Sequence, residues 1–452
     1  MKKDKRYQKI DQISPSFCLA KWLQVTIDLK HGTNHSCHHP ERHIIPTQLL
    51  ENKPDVLHNT PFKKRQRKLM LEGVRPPECS YCWTVEDAPG EHISDRYIKS
   101  TDPWAWDSLE KIAKLPWDQD INPTYVEVMF DSICNLSCSY CMADISTSIM
   151  KEMKEFGPYP VTDQQHRMPK HADRVDDEEN IFQKAFWKWL PTLSQDLQVL
   201  RITGGEPLLS PQNDKLLEFF ETHTFKKLEL IVNTNLSMPS EFVRGKLLRV
   251  KKLVDNKRVA GFELYTSLDA FDSAAAYIRS GLNLELFWKN IELVHELFPE
   301  SQIVIMCAYN ILSMGSFDEL IQCVRSYKEK GYKLVLDLSY VKNPFYLRAN
   351  LATEDLRTKL ESSYALMKSL CAQGLFSAHE LSKLETVYNW VKSPNEQSDI
   401  LRGRRDFYSF INEYDKRKKT NFLKTFPEYE AFYKTCHKVF EFTEADRLAS
   451  KK

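Results

Sequence analysis

The sequence predicts an α/β protein whose centre is a parallel sheet of six strand–helix units curled into a partial barrel. A cysteine-rich segment precedes it and a helical extension follows. Three observations carry this. From about residue 124, apolar strand-like runs alternate with segments of helical spacing. The cysteines gather in two groups instead of spreading evenly. Beyond about residue 350 the pattern is helical and charged.

The strand candidates are Tyr125–Asp131, Gln198–Thr203, Leu228–Asn233, Gly261–Ser267, Gln302–Ala308 and Lys333–Leu338, all rich in Val, Ile, Leu and Tyr. Phe182–Leu193, Asp214–Thr222, Leu286–Leu297 and Phe317–Lys330 show helical spacing between them. Such alternation lays helices on a parallel sheet. Sheets of this kind place their chemistry at the carboxyl ends of the strands. Lys151–Asp177 is polar, holds Gly157-Pro158-Tyr159-Pro160, and reads as an inserted loop before the second strand. Asp355–Gln373 and His379–Lys392 are helical and read as a cap, lid or partner surface. The expected domains are 1–110, 120–345 and 346–452.

The chain has 452 residues, enough for two or three domains, with 42% hydrophobic and 28% charged residues. Lys plus Arg number 63 against 62 Asp plus Glu, so no global basic excess favours nucleic acid. The basic runs Lys63–Lys68 and Lys416–Lys419 read as solvated helix faces. Met1–Gln12 lacks the apolar core of a signal peptide, and no run approaches the ~20 apolar residues that span a bilayer. The expectation is a cytoplasmic protein with reduced thiols. The 11 cysteines then read as metal ligands where clustered and as small hydrophobes where single, at Cys307, Cys323, Cys371 and Cys436.

Cys134-Asn135-Leu136-Ser137-Cys138-Ser139-Tyr140-Cys141 has the spacing C-x3-C-x2-C and follows the first barrel strand directly. Three thiolates on a short loop can hold three irons of a [4Fe–4S] cube. The fourth iron is then open to a small chelator bearing an amine and a carboxylate. A structural zinc site would be closed by four ligands, and a distant His could complete one here. Thr203-Gly204-Gly205-Glu206-Pro207 ends the second strand. Paired glycines let backbone approach a ligand closely, and the Glu can accept from an ammonium group.

These motifs resemble those of the radical S-adenosylmethionine superfamily, down to the aromatic residue before the third cysteine. The resemblance implies that the open iron chelates S-adenosylmethionine and that Tyr140 lies against its adenine. It implies that Gly204, Gly205 and Glu206 hold the methionine amine. Asn233 and Asn235 after the third strand, and Ser267, Asp269 and Arg279 after the fourth, resemble positions that bind the ribose hydroxyls and the carboxylate. Arg279 suits a carboxylate through its planar two-donor fork; Asn310 is a weaker candidate. Taken singly, each of these polar residues also reads as a loop cap or turn.

Cys18, Cys37, Cys79 and Cys82 lie in a block that resembles the twitch domain, the short relative of the SPASM domain that carries an auxiliary iron–sulfur cluster. The block departs from that pattern: Trp22 lacks a preceding Pro, and Cys37 lacks a neighbouring second Cys. Four cysteines can fully ligate a second [4Fe–4S] cluster or a zinc ion. The tract of His31, His35, His38, His39 and His43 reads as a loop, although His38 or His39 could replace a thiolate. The family's reaction is reductive cleavage of S-adenosylmethionine to a 5′-deoxyadenosyl radical that abstracts hydrogen from a substrate. A peptide or protein is the first reading of that substrate; a nucleotide-linked sugar or small metabolite is the second. A flavodoxin or ferredoxin is the implied electron donor. A non-catalytic iron–sulfur or zinc module is the alternative of another class.

Overall fold

The computed structural model describes residues 4–88, 93–163 and 180–449, with the side chains of 444–449 excepted. The chain divides into two units. The first comprises Met1–Ser132, Arg174–Val232 and Arg249–Phe262; the second comprises Ile133–Asp173, Asn233–Leu248 and Glu263–Lys452.

The first unit holds β1 (Gln24–Asp28), β2 (Thr33–His35), β3 (His43–Ile44), β4 (Tyr125–Met129), β5 (Val199–Thr203) and most of β6 (Phe225–Thr234). β1 runs parallel to β4, from Gln24 opposite Tyr125 to Asp28 opposite Met129. β4 is parallel to β5, and β5 to β6. β2 and β3 extend this array antiparallel from β1. The amino-terminal segment is therefore part of the strand array of this unit.

Alternation of side chains gives these strands two faces. Val25, Ile27, Val126, Val128, Leu200 and Ile202 are buried on one face. The helices Ile181–Trp189 and Pro211–Thr222 contribute buried Phe186, Trp189, Leu216 and Phe220 to the same core. Full burial of each such side chain is worth about 1.5–3 kcal/mol. On the other face, Thr26, Glu127 and Arg201 stand opposite one another in register, a polar row. The β1–β2 turn needs glycine: Gly32 has φ +66°, and a Cβ there would collide with the Phe182 ring.

In the second unit, the carboxyl end of β7 (Val259–Ser267) runs parallel to β8 (Ile303–Tyr309), and β8 to β9 (Leu334–Tyr340). Helices Leu284–Leu297 and Phe317–Glu329 bury Phe287, Ile291, Val294, Leu320 and Val324. The helix Ala378–Lys392 opens with a Ser377–Glu380 capping box. Glu380 also accepts from the Leu336 amide at 2.9 Å and from Lys328 Nζ at 2.7 Å, which satisfies an otherwise unpaired amide of β9. Helices Gln397–Lys418 and Glu430–Ala449 complete the unit.

The stretch read as a loop from Lys151 is helical at its start. The helix Thr147–Phe156 is capped by Ser146 on the Ile149 amide and stopped by Gly157 at φ +77°. Buried Ile149 and Met153 give it an apolar stripe that the polar residues between them obscure. The loop proper starts at Gly157, and the part beyond Asp163 lies outside the described residues until Asn180. No helix among the described residues is long and apolar enough to cross a membrane.

Candidate functional site

The three-cysteine loop of the second unit is tied down along its length. At its start the Cys134 amide donates to Thr147 Oγ1 at 3.1 Å, and Ser148 Oγ donates to the Cys134 carbonyl at 2.6 Å. Asn235 donates to the Asn135 side chain at 2.8 Å, and Asn135 to the Ser237 carbonyl at 3.3 Å. Ser137–Cys138 form a short antiparallel ladder with Arg279–Ser280. The Ser139 amide donates to the Ile278 carbonyl at 2.8 Å. The Cys141 amide then closes a turn onto the Cys138 carbonyl at 3.0 Å.

Cys141 lies within electrostatic range of Cys138 and Cys134, so the three thiols share one neighbourhood. Burial pushes the Cys138 thiol up to about 11, against the opposing pull of the Arg279 cation. Burial and its two thiol neighbours push Cys141 up as well. Free thiols in this setting resist ionisation, and bound iron would stabilise their thiolate form. Three soft sulfur donors on one loop are the donor set of an iron–sulfur cube, and the residues fit that group.

Beside the loop is a buried polar cluster. Asp269 is 0% exposed and follows β7. It accepts from Tyr140 Oη at 2.9 Å, from the Ala308 amide at 2.8 Å and from Arg279 Nη2 at 3.1 Å. Arg279 Nε lies 2.8 Å from Asp269 Oδ2 but is poorly aligned to donate. Arg279 Nη1 also reaches Cys138 Sγ at 3.8 Å, and its guanidinium lies 5.5 Å from the Tyr140 ring centroid. Burial works against the Arg279 charge, yet Asp269 holds its pKa well above the usual value. Burial, with Asp269 beside it, keeps the Tyr140 phenol protonated. The structure thus brings Tyr140, Asp269, Arg279 and Cys138 together, with Arg279 turned onto Asp269. Asn233 contacts Met306 Sδ at 3.6 Å, and Met306 pairs with Ser267 across β7 and β8. Asn310 is a buried cap on the turn that follows β8.

In the first unit, Gly204 has φ +132°, and a Cβ there would lie 2.8 Å from the Asp131 carbonyl oxygen. Only glycine fits that approach. Glu206 is buried, and its Oε1 accepts from the Leu208 amide at 3.0 Å.

Cys18, Cys37, Cys79 and Cys82 line one cavity of this unit with Lys21, His39, Trp83 and Arg96. Burial pushes Cys37 up to about 12 and Cys79 up to about 11, with the neighbouring thiols adding to the rise. Four sulfur donors round one space fit a fully ligated cluster. Among the described residues, no group of three or more His, Cys, Asp or Glu is arranged to hold a single metal ion. The histidines have protein partners: His31 pairs with Asp28 at 2.8 Å, and His39 with Asp95 at 2.8 Å while stacking on Tyr81. His43 contacts Thr60 Oγ1 at 2.8 Å, and His35 contacts the Cys37 carbonyl. His38 lies 3.9 Å from Glu127.

Comparison with family models matches residues 128–321 to the radical SAM superfamily. That stretch is similar to a radical SAM domain. Its bounds run from β4 into the helix Phe317–Glu329, and take in the three-cysteine loop, Gly204–Glu206 and Arg279. No curated protein matches the chain. Among solved structures, native anSMEcpe with bound AdoMet is 15% identical, with a TM-score of 0.36 over 55% of this chain and 63% of that one. The same protein with AdoMet and the Kp18Cys peptide is 16% identical, with a TM-score of 0.34 over 55% and 62%. The match therefore spans less than two thirds of either of those chains. Streptococcus suis SuiB bound to the precursor peptide SuiA is 14% identical, with a TM-score of 0.37 over 79% and 70%.

Sequence reasoning missed the Asp269 carboxylate as the hub of the polar cluster, because its partners lie at 140, 279 and 308. It also missed Lys21 and Glu78 as neighbours of the amino-terminal cysteines. The Lys beside Cys18 and the Glu before Cys79 were visible, but neither has a motif.

Proposed function

We propose that this protein is a radical SAM enzyme that cleaves S-adenosylmethionine reductively and abstracts a hydrogen atom from a peptide or protein. The observation that carries the reading is the Cys134–Cys138–Cys141 loop, held against Tyr140, Asp269 and Arg279 within a stretch similar to a radical SAM domain. With a [4Fe–4S] cluster on those cysteines and S-adenosylmethionine on its open iron, the cofactors supply one-electron carbon–sulfur cleavage and a 5′-deoxyadenosyl radical.

The chain's own residues bind and orient. The Tyr140 ring offers an apolar face to adenine while its hydroxyl is anchored on Asp269. Glu206, buried with fixed geometry, is an acceptor for the methionine ammonium. Gly204 and Gly205 let the backbone come close to that group. Arg279 is a carboxylate donor; Ser267, Asn233 and Asn235 supply polar groups for the ribose. Cys18, Cys37, Cys79 and Cys82 hold an auxiliary [4Fe–4S] cluster in a twitch-like domain, and a flavodoxin or ferredoxin delivers the reducing electron in the cytoplasm.

The test is anaerobic reconstitution with iron and sulfide, followed by dithionite and S-adenosylmethionine. Formation of 5′-deoxyadenosine is the expected result. None above background from folded, clustered protein refutes the reading. Hydrogen isotope transfer from a labelled peptide into 5′-deoxyadenosine tests the substrate class; transfer from a nucleotide-linked sugar would replace it.

A further inference from the structure

The cavity shared by the four amino-terminal cysteines has one buried cation poised on its thiols. Lys21, three residues after Cys18, is 2% exposed and lines the same cavity as the Cys37 and Cys79 thiols. Its ion-pair partner is Glu78, the residue before Cys79 in the turn Pro77–Cys79. Arg96 lines the same cavity, but its guanidinium is committed to Glu86 at 2.9 Å and Asp11 at 3.1 Å. Lys99, also on the lining, has a side chain 25% exposed, where solvent screens its charge.

We propose that the Lys21–Glu78 pair sets the reduction potential of the cluster held by Cys18, Cys37, Cys79 and Cys82, Lys21 raising it and Glu78 lowering it. The inference rests on the four-thiol reading above. The couple takes up one electron, with no proton moved and no bond made or broken. A cube on four thiolates is already anionic, and reduction adds one more negative charge. A cation in contact with the sulfurs, shielded from water, favours the reduced state, and a carboxylate beside it opposes that. Hydrogen bonding and local charge at the sulfurs are the protein's levers on such a potential. Lys21 on the cavity wall and Glu78 paired to it, next to Cys79 in the chain, give two levers of opposite sense, whereas an ion pair that only stabilises the fold gives none.

The experiment uses the full chain with Cys134→Ala, Cys138→Ala and Cys141→Ala, so that only the amino-terminal cluster gives a signal. It is reconstituted anaerobically and titrated with dithionite and mediators, and the midpoint is read by electron paramagnetic resonance. Lys21→Met is expected to lower the reduction equilibrium at least tenfold, about 59 mV for one electron. Glu78→Gln is expected to raise it by a similar factor, and Lys21→Arg to leave the midpoint where it was. A cluster present with unchanged midpoints, or with Met and Gln shifting it in the same direction, overturns the proposal. If the Met variant does not retain iron, Glu78→Gln decides alone: an upward shift supports the proposal and an unchanged midpoint overturns it. A parent with no second cluster overturns the four-thiol reading itself, and the proposal with it; that result is distinct from a cluster with an insensitive potential.

Discussion

Replacing Asp269 by alanine should unfold the protein more readily than any other single change at the site. The carboxylate is fully buried and accepts from Tyr140 Oη at 2.9 Å, the Ala308 amide at 2.8 Å and Arg279 Nη2 at 3.1 Å. Removing one partner of a buried ion pair costs about 3–5 kcal/mol, because the other charge stays behind uncompensated. Each buried donor left without an acceptor adds about 1–3 kcal/mol. These costs overlap, since Tyr140 and Arg279 converge on one group. We therefore expect about 5 kcal/mol for Asp269→Ala and about 1 kcal/mol for Tyr140→Phe, which removes one donor and leaves no charge behind. Asp269→Asn keeps a single acceptor oxygen, for Tyr140 or for Ala308, while losing the charge, and should fall between them. The assay is urea unfolding of the protein as isolated, followed by tryptophan fluorescence, with the midpoint converted through the slope. If Asp269→Ala lies within about 1 kcal/mol of the parent, Arg279 does not depend on Asp269 for its burial and the cluster is misread.

Cys138→Ala should remove the barrel iron and all 5′-deoxyadenosine formation; product from that variant, measured by liquid chromatography, would show that the cofactor sits elsewhere. Glu206→Ala should weaken S-adenosylmethionine binding by about 1.5–3 kcal/mol, the range of a charged hydrogen bond, read by equilibrium dialysis; an unaltered affinity contradicts its role. Gly204→Ala should destabilise the first unit by about 1–3 kcal/mol, since φ +132° is unsuited to alanine and the new Cβ meets the Asp131 carbonyl at 2.8 Å. Thermal unfolding equal to the parent would mean that the turn relaxes freely. His58 is buried, accepts from Lys63 Nζ at 3.0 Å, and has a pKa held well below 6.5 by burial, Lys63 and Arg67. The unfolded chain therefore binds the extra proton below about pH 6.5, and stability should fall there by up to about 1.4 kcal/mol per pH unit for this group. Urea midpoints at pH 7.5 and 5.5 should differ less in His58→Gln than in the parent, His35, His38 and His43 keeping part of the slope; an identical pH slope in parent and variant would exclude the assignment.

The period of the barrel strands was legible because each is a Val/Ile/Leu/Tyr run, and the predicted ends fall within a few residues of the observed ones. Leu228–Asn233 is the least accurate, because β6 begins at Phe225 and its next residues, Lys226 and Lys227, are exposed. The helix Ser240–Asp255 was not among the elements read, although Val243, Leu247, Val250 and Leu253 are all buried at helical spacing. The register of β1 on β4 left no local mark, because parallel partners about a hundred residues apart share no turn. The cysteine, glycine and arginine positions stood out as candidates from spacing and family likeness. Their hydrogen bonds were not: Arg279 reads equally well as a ligand donor or as the partner of Asp269, and only three-dimensional proximity shows that pairing. The loop after Gly157 is held by Arg417, which donates to the Gly157 carbonyl at 3.0 Å and packs 4.0 Å over Tyr159. That contact crosses 260 positions and was invisible beforehand.

The parallel seam between β1 and β4 bears on how the chain is made. Residues 24–28 leave the ribosome well before 125–129, so the first strand has no parallel partner until about a hundred further residues have been added. Over that interval only its antiparallel hairpin with β2 is within local reach. A nascent chain halted before residue 125 would carry all four amino-terminal thiols with one edge of their supporting strand bare, a state open to mispairing with other chains. Fusions or truncations that cut between residues 110 and 124 should therefore yield an insoluble fragment, and the four-cysteine segment should be expressed together with the strand that seals it.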